Sequence, residues 1–398
     1  MRTRSGLFYE MANADQKPLE APTVEEGVTI YIYDIYITMA TAELSLTKCG
    51  RCGRPPRARS PPGRPSRAAP PISRLFPHKH QQLMKPRAVS FVNSQATLQS
   101  PHYNENSPEP YFDQVFQIVC KLGAGSFGDV RMYWFDVKLL KNIHHLECGA
   151  SERYAQVFKV KSKDDQQFYA VKKSRERYKG ALDRQRKLEE VRRHEELPSH
   201  ANCVQFIRAW EECQHLYIQT ELCEMSLNQF AENNHDIPET LVWKYLLDLI
   251  QAVKHLHDHE VLHLDIKPAN IFVTDQRVCK LGDFGLAATS TQLSDPTEGD
   301  PKYLAPELME GVFTKAADIF SLGITILELA TDLDLPLGGP RWHELRQGVI
   351  PEVFVQKLSA ELVDLIRDMM HPEPSKRPTA DQVLTKTSLH INLLVKDA

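Results

Sequence analysis

One stretch constrains this chain more than any other: His263-Leu264-Asp265-Ile266-Lys267-Pro268-Ala269-Asn270, followed thirteen residues after Asn270 by Asp283-Phe284-Gly285. An Asp two residues after a His and five before an Asn can take the proton of an incoming hydroxyl while the Asn ligates a magnesium ion. Asp265 and Asn270 stand at that spacing, and Asp283 is the second carboxylate that such an ion needs. Apolar segments carry all three: Val261-Leu262 before, Ile271-Phe272-Val273 between, and Cys279-Lys280-Leu281 ahead of Asp283. Surface carboxylates beside buried strands are the bland alternative. The length of the motif and its structural context weigh against it.

With 398 residues, 42% hydrophobic and 25% charged, the chain can bury one large two-lobed domain and leave a tail. Its net charge of −4 gives no reason to expect a nucleic-acid partner. The balance is uneven, however: residues 48–88 hold eleven Lys or Arg, nine Pro and no acid. Such a segment cannot bury enough apolar surface to offset chain entropy, so residues 1–110 are expected to be a disordered Pro/Arg-rich region. Within it, Cys49 and Cys52 could form half of a zinc site, but no second pair stands at suitable spacing. Ser60-Pro61, Ser100-Pro101 and Ser107-Pro108 are weak proline-directed modification signals. The eight Cys read as free thiols in a reduced compartment, and no apolar run is long enough for a membrane span.

Order is expected from about Tyr111. Phe116, Ile118 and Cys120 alternate as a half-buried strand, then Gly123-Ala124-Gly125-Ser126-Phe127-Gly128 follows. Dinucleotide folds use the same glycine spacing to open a helix; here a second strand is expected, as a loop folded over nucleotide phosphates requires. That strand, Val157-Phe158-Lys159-Val160-Lys161, is displaced, so residues 130–156 read as an insertion in the hairpin. The next strand ends Ala170-Val171-Lys172, where Lys172 suits the α- and β-phosphates; alternation sends Lys173 to the other face. A charged helix over 182–197, with Leu182, Leu188 and Val191 at helical spacing, offers Glu190 as the partner of Lys172, with Glu189 as the alternative better suited to a solvated helix face. A strand pair then leads to the hinge at Glu221-Leu222-Cys223. The candidate nucleotide contacts are Leu122, Gly123, Gly125, Gly128, Val130, Ala170, Lys172, Thr220, Glu221 and Cys223. Farther on, Leu241, Tyr245, Leu246, Leu249, Val253 and Leu256 form one apolar helical stripe.

Together these motifs resemble the eukaryotic protein kinases over residues 111–390. The resemblance implies an α+β, bilobal fold with a small β-rich N-lobe and a larger helical C-lobe, ATP and magnesium as cofactors, and residues 391–398 as a C-terminal tail. It assigns Asp265 to the substrate hydroxyl, Lys267 to the γ-phosphate, and Asn270 and Asp283 to the metal. It also pairs Glu307, in Ala305-Pro306-Glu307, with Arg377.

Within the kinases, QTELC at 219–223, EGDPKY at 298–303, LPLGG at 335–339 and WHELRQG at 342–348 are similar to the Wee/Myt group, as are PISRLFP at 71–77 and LQSP at 98–101. That likeness implies a monomeric, dual-specificity Ser/Thr and Tyr kinase acting on a cyclin-dependent kinase–cyclin complex to hold back mitotic entry. The alternatives are a generic Ser/Thr kinase, for which Lys267 in the loop is typical, and a pseudokinase or scaffold impaired by the insertion at 130–156. It further implies a cytoplasmic location, with endoplasmic reticulum or Golgi membranes as the family's anchorage and the nucleus disfavoured. Many kinases place an Arg between the His and Asp of the loop to bind an activation-segment phosphate. Here Leu264 stands there, so a segment active without modification is expected.

Overall fold

The computed structural model describes residues 85–124, 155–289 and 299–397. The first region they form is a six-stranded antiparallel sheet. Strand β1 (Arg87–Val89) and helix α1 (Tyr111–Val115) lead into β2 (Phe116–Ala124), β3 (Ala155–Ser162) and β4 (Phe168–Ser174). Helix α2 (Ala181–Glu196) follows, then β5 (Phe206–Glu212) and β6 (His215–Glu221); the sheet order is β1-β5-β6-β4-β3-β2. The alternation read from Phe116 onward is the β2 ladder, which sets Ile118 opposite Val160 and Gly123 opposite Val157. Ala124 faces Gln156, so the two strands of the expected hairpin do pair on either side of the long connection. Gly125, Gly128, Val130 and the insertion up to residue 154 lie outside the described residues, as do Cys49, Cys52 and the tail to residue 84.

Two expected boundaries need correction. Order begins before Tyr111: β1 pairs with β5 in the register Ala88 to Trp210, and Leu98 and Tyr103 pack on the aromatic cluster of Tyr111, Phe112, Phe116 and Trp210. The sequence there hides this, because a three-residue edge strand and a few aromatic anchors leave no periodic signal. At the other end, residues 391–397 are no tail but continue helix α9 (Ala380–Asp397). A smaller difference concerns α2. Val191 is buried and Leu188 partly so, while Leu182 is 64% exposed.

The second region is helical. After β7 (Met225–Ser226) come α3 (Leu227–Asn233) and α4 (Glu239–Asp258), then the short strands β8 (Val261–Leu262), β9 (Ile271–Val273), β10 (Cys279–Leu281) and β11 (Ala288–Thr289). Helices α5 (Lys315–Thr331), α6 (Pro340–Arg346), α7 (Glu352–Val355) and α8 (Ala360–Met369) precede α9. The stripe read on α4 is core: Tyr245, Leu246, Leu249 and Leu256 are fully buried among residues of α5 and α8. Each such side chain contributes roughly 1.5–3 kcal/mol. The β9–β10 hairpin lies on this helical floor, with Lys280 opposite Phe272, and its ends present the motif residues. Among the described residues no helix is long and apolar enough to cross a membrane.

Candidate active site

Lys172 sits in mid-sheet, opposite Val157 on β3 and Ile218 on β6, so its backbone is fixed from both sides. Its neighbour Lys173 goes to the other face, where its Nζ lies 5.3 Å from the centre of the Tyr217 ring. The Lys172 ammonium reaches Glu190 Oε1 on α2 at 2.7 Å and Asp283 Oδ1 at 3.0 Å. Burial alone would lower Lys172, but the charges of Asp283 and Glu190 outweigh it and hold the group above its ordinary value. Burial raises Glu190, against the pull of Lys172. Asp283 ends lower, because Lys172 overcomes the same burial cost. Glu189, the alternative to Glu190, is paired with Arg192 of its own helix at 2.6 Å.

The backbone around Asp283 is shaped for this contact. Asp283 has φ of 60°, and a Cβ on the preceding Gly282 would come within 2.8 Å of Val204 Cγ2, so only glycine fits there. Phe284 is buried between the rings of His194 and His263, with centroids at 4.6 and 5.5 Å. Burial pulls His194 down to about 4, leaving it neutral, and its Nε2 meets the Val204 carbonyl at 2.7 Å.

The loop carrying Asp265 turns through Leu264, whose φ is 63°. A buried carboxylate on α5 holds that turn: Asp318 accepts the N–H groups of His263 at 2.9 Å and Leu264 at 2.8 Å, with His257 Nε2 at 3.0 Å. Burial would raise Asp318, but the His257 hydrogen bond and charge and the loop N–H keep it below its usual range. Asp265 Oδ2 lies 3.1 Å from Lys267 Nζ and accepts Asn270 Nδ2 at 2.7 Å. Burial raises the Asp265 carboxyl despite the Lys267 charge. Asp300 completes the cluster, donating its N–H to Asp265 Oδ1 at 3.4 Å, with its carboxylate 3.7 Å from Lys267.

At the hinge, Ala170 pairs with Thr220 and Tyr169 with Glu221. The Glu221 carboxylate is committed to Lys280 Nζ at 2.8 Å and to the Gln205 N–H at 2.7 Å, so any base contact from Glu221 has to be made by backbone. Burial pushes the Cys223 thiol up to about 12, which keeps it un-ionised. Leu122 is half-buried on β2 beside Gly123. Glu307 and Arg377, far apart in the chain, meet in two contacts of 2.6 and 2.8 Å.

Reading the sequence places Asp318-Ile319-Phe320-Ser321-Leu322-Gly323 inside a buried helix but gives no site role to Asp300, Asp318 or His194. Asp318 carries a signal in retrospect, a lone acid inside the apolar run Ala316-Ala317-Asp318-Ile319-Phe320. Asp300 lies in the EGDPKY stretch, which marked the family without giving the residue a role, and His194 has no signal, because its partners come from distant elements. Asn270 and Asp283 offer hard oxygen donors, the set that suits magnesium, and the Lys172 ammonium suits phosphate.

Residues 151–388 match the protein kinase domain family. The chain is 45% identical over 282 residues to the membrane-associated tyrosine- and threonine-specific cdc2-inhibitory kinase of Drosophila melanogaster, covering 70% of this chain and 48% of that one. It is 39% identical over 363 residues to the wee-1.3 kinase of the same description from Caenorhabditis elegans, covering 90% of this chain and 48% of the relative. To the mitosis inhibitor protein kinase wee1 of Schizosaccharomyces pombe it is 34% identical over 274 residues, 62% of this chain and 31% of the relative. The chain spans about half the length of the first two of these curated relatives.

Proposed function

We propose, from the premise that the chain belongs to the protein kinase family and to its Wee/Myt branch, that it is an ATP-dependent dual-specificity kinase. Its substrate on this reading is a cyclin-dependent kinase, modified on the inhibitory Thr and Tyr of its glycine loop so that entry into mitosis is restrained. One observation carries the catalytic part: a single ammonium, Lys172, bridges Glu190 and Asp283 while Asp265 lies beside Lys267. The substrate part is supported by the relatives, which are described as cdc2-inhibitory and as tyrosine- and threonine-specific.

Each residue has a role in this reading. Lys172 holds the α- and β-phosphates of ATP with Glu190 behind it, and Lys267 steadies the γ-phosphate. Asn270 and Asp283 hold magnesium, which when bound neutralises charge on the transferring phosphoryl group. Asp265 orients the incoming hydroxyl and accepts its proton, and its raised carboxyl keeps it close to that task. Leu122, Gly123, Ala170, Thr220, Glu221 and Cys223 frame the nucleotide, together with Gly125, Gly128 and Val130 of the loop outside the described residues. The Drosophila relative is described as membrane-associated, which supports an enzyme that works at a membrane.

The test is to incubate the purified chain with a cyclin-dependent kinase–cyclin complex, magnesium and ATP, and to map phosphate on the target glycine loop. Phosphotyrosine and phosphothreonine together are expected. Phosphate elsewhere only, or none while casein is phosphorylated, would overturn the assigned substrate.

A further inference from the structure

Helix α6 carries Trp342 and Arg346, residues of the WHELRQG motif that the catalytic reading leaves without a role. Arg346 is 3% exposed, and among the described residues no carboxylate pairs with it. Burial pulls its guanidinium down to about 9, and its Nε has no hydrogen-bond partner among the described residues. A buried cation without a counter-charge costs stability, so packing alone does not account for an Arg at this position.

Its Nη2 converges on one piece of backbone, while Nη1 stays with its own helix. Arg346 Nη2 donates to the Pro301 carbonyl at 2.6 Å and to the Lys302 carbonyl at 3.2 Å, and Nη1 donates to the Trp342 carbonyl at 3.2 Å. The guanidinium lies 3.6 Å over the Trp342 ring, whose Nε1 donates to the same Pro301 carbonyl at 2.7 Å. From α5 the next residue is held as well: the Tyr303 hydroxyl donates to Glu328 at 2.7 Å and Ser321 Oγ donates to the Tyr303 carbonyl at 2.9 Å. This gripped stretch starts at Asp300, the residue that touches Asp265 and faces Lys267. Segment 300–303 therefore begins beside Asp265, the residue assigned above to the incoming hydroxyl.

We propose that Arg346 and Trp342 are positioning residues for the protein substrate: they pin segment 300–303 against Asp265 and so govern how well a protein, but not the nucleotide, is used. The inference rests on the reading of the chain as a protein kinase, and deepens it by naming what shapes its peptide-facing side.

The experiment uses the full chain with Arg346→Met, Arg346→Lys and Trp342→Phe. It measures kcat and KM on a cyclin-dependent kinase–cyclin complex and on casein, KM for ATP, and Tm. Arg346→Met is expected to keep or raise Tm, because an unpaired buried cation is replaced by an apolar chain of similar length. Its kcat/KM for both proteins should fall about tenfold or more through misplacement of the segment, with KM for ATP within about twofold of the parent. Arg346→Lys should recover part of the loss. Trp342→Phe, which removes one of two donors to the Pro301 carbonyl, should fall between. If the Met variant fails to fold, the Lys and Phe variants decide by the same split between protein and ATP. Unchanged kcat/KM on both proteins in folded variants would overturn the proposal, as would equal losses in Tm, ATP use and protein use, which mark a packing role. Parent activity on casein alone would sink the cyclin-dependent kinase reading and leave this one to be judged on casein.

Discussion

Two ion clusters in the molecule use similar side chains and do opposite things. Arg377 and Glu307 meet twice, with side chains 0% and 7% exposed, and the other N–H groups of Arg377 go to the carbonyls of His371, Ala316 and Pro372. All five donors are engaged inside the protein, and one positive charge meets one negative. Lys172, Glu190 and Asp283 are 27%, 21% and 26% exposed, and a single ammonium faces two carboxylates. The first cluster is neutral and shut, so it can only hold shape. The second is open with a surplus negative charge, so it can exchange partners with a cation and phosphates.

The largest expected effect is on the open side of this comparison. Asp265→Asn should cut turnover by roughly 10²–10⁴ while leaving ATP affinity nearly intact, since the proton acceptor is lost and the phosphate and metal groups remain. Unchanged turnover in a steady-state assay would remove Asp265 from the chemistry. The next effect tests closure itself. Arg377→Ala should lower the unfolding free energy by about 3–5 kcal/mol, because it strands the buried Glu307 carboxylate. Lys172→Met should remove activity at a cost of only about 1 kcal/mol, since water can reach the two carboxylates it leaves. Denaturant titrations of the pair compare them, and equal destabilisation would erase the distinction.

Acid should sharpen the contrast further. The folded-state values of Asp318 and Asp283 are depressed, so each contributes stability above its unfolded value near 3.9 that is lost as pH falls through the folded one. Glu190 is shifted upward and has the opposite sign: its contribution is full below its unfolded value and is lost as pH rises through the raised folded one. The net acid limb should therefore steepen below about pH 4, and Asp318→Asn should flatten it in a pH series of thermal melts. The smallest effect is expected at the activation segment. Leu264 is buried with Leu262 and Ala288 in an apolar cluster that also takes in Leu308 and Phe313, an environment with no use for phosphate. Changing Thr289, Ser290, Thr291, Ser294 and Thr297 together to Ala should leave kcat within about twofold, because no cation stands at position 264 to reward phosphorylation. A large loss, matched by phosphatase treatment of the parent, would show that the segment is switched after all.

Legibility followed the range of each signal. The meeting of Asp265 with Asn270, and the place of Asp283 at the end of the same hairpin, were readable because all three lie close together in the chain, and the α4 stripe because a helix repeats its buried face. The early start of the fold was not: β1 gains its place from a rung with β5 that lies more than a hundred residues away, and three residues hold no period. Nor was the continuation of α9 past residue 390, since helix ends fray without strong stop signals.

By itself the sequence determined the two-lobed kinase class, the residue types at the site and the choice of Lys172 over Lys173, because local spacing and strand alternation are properties of the chain. Only the tertiary structure decided that Glu190 rather than Glu189 meets Lys172, that Asp318 holds the strained turn at Leu264, and that Arg346 lies buried beneath residues 301 and 302, with no carboxylate paired to it among the described residues. Those three facts depend on which distant surfaces pack together. Burial, which raises or lowers the cost of every charge, exists only after they have packed.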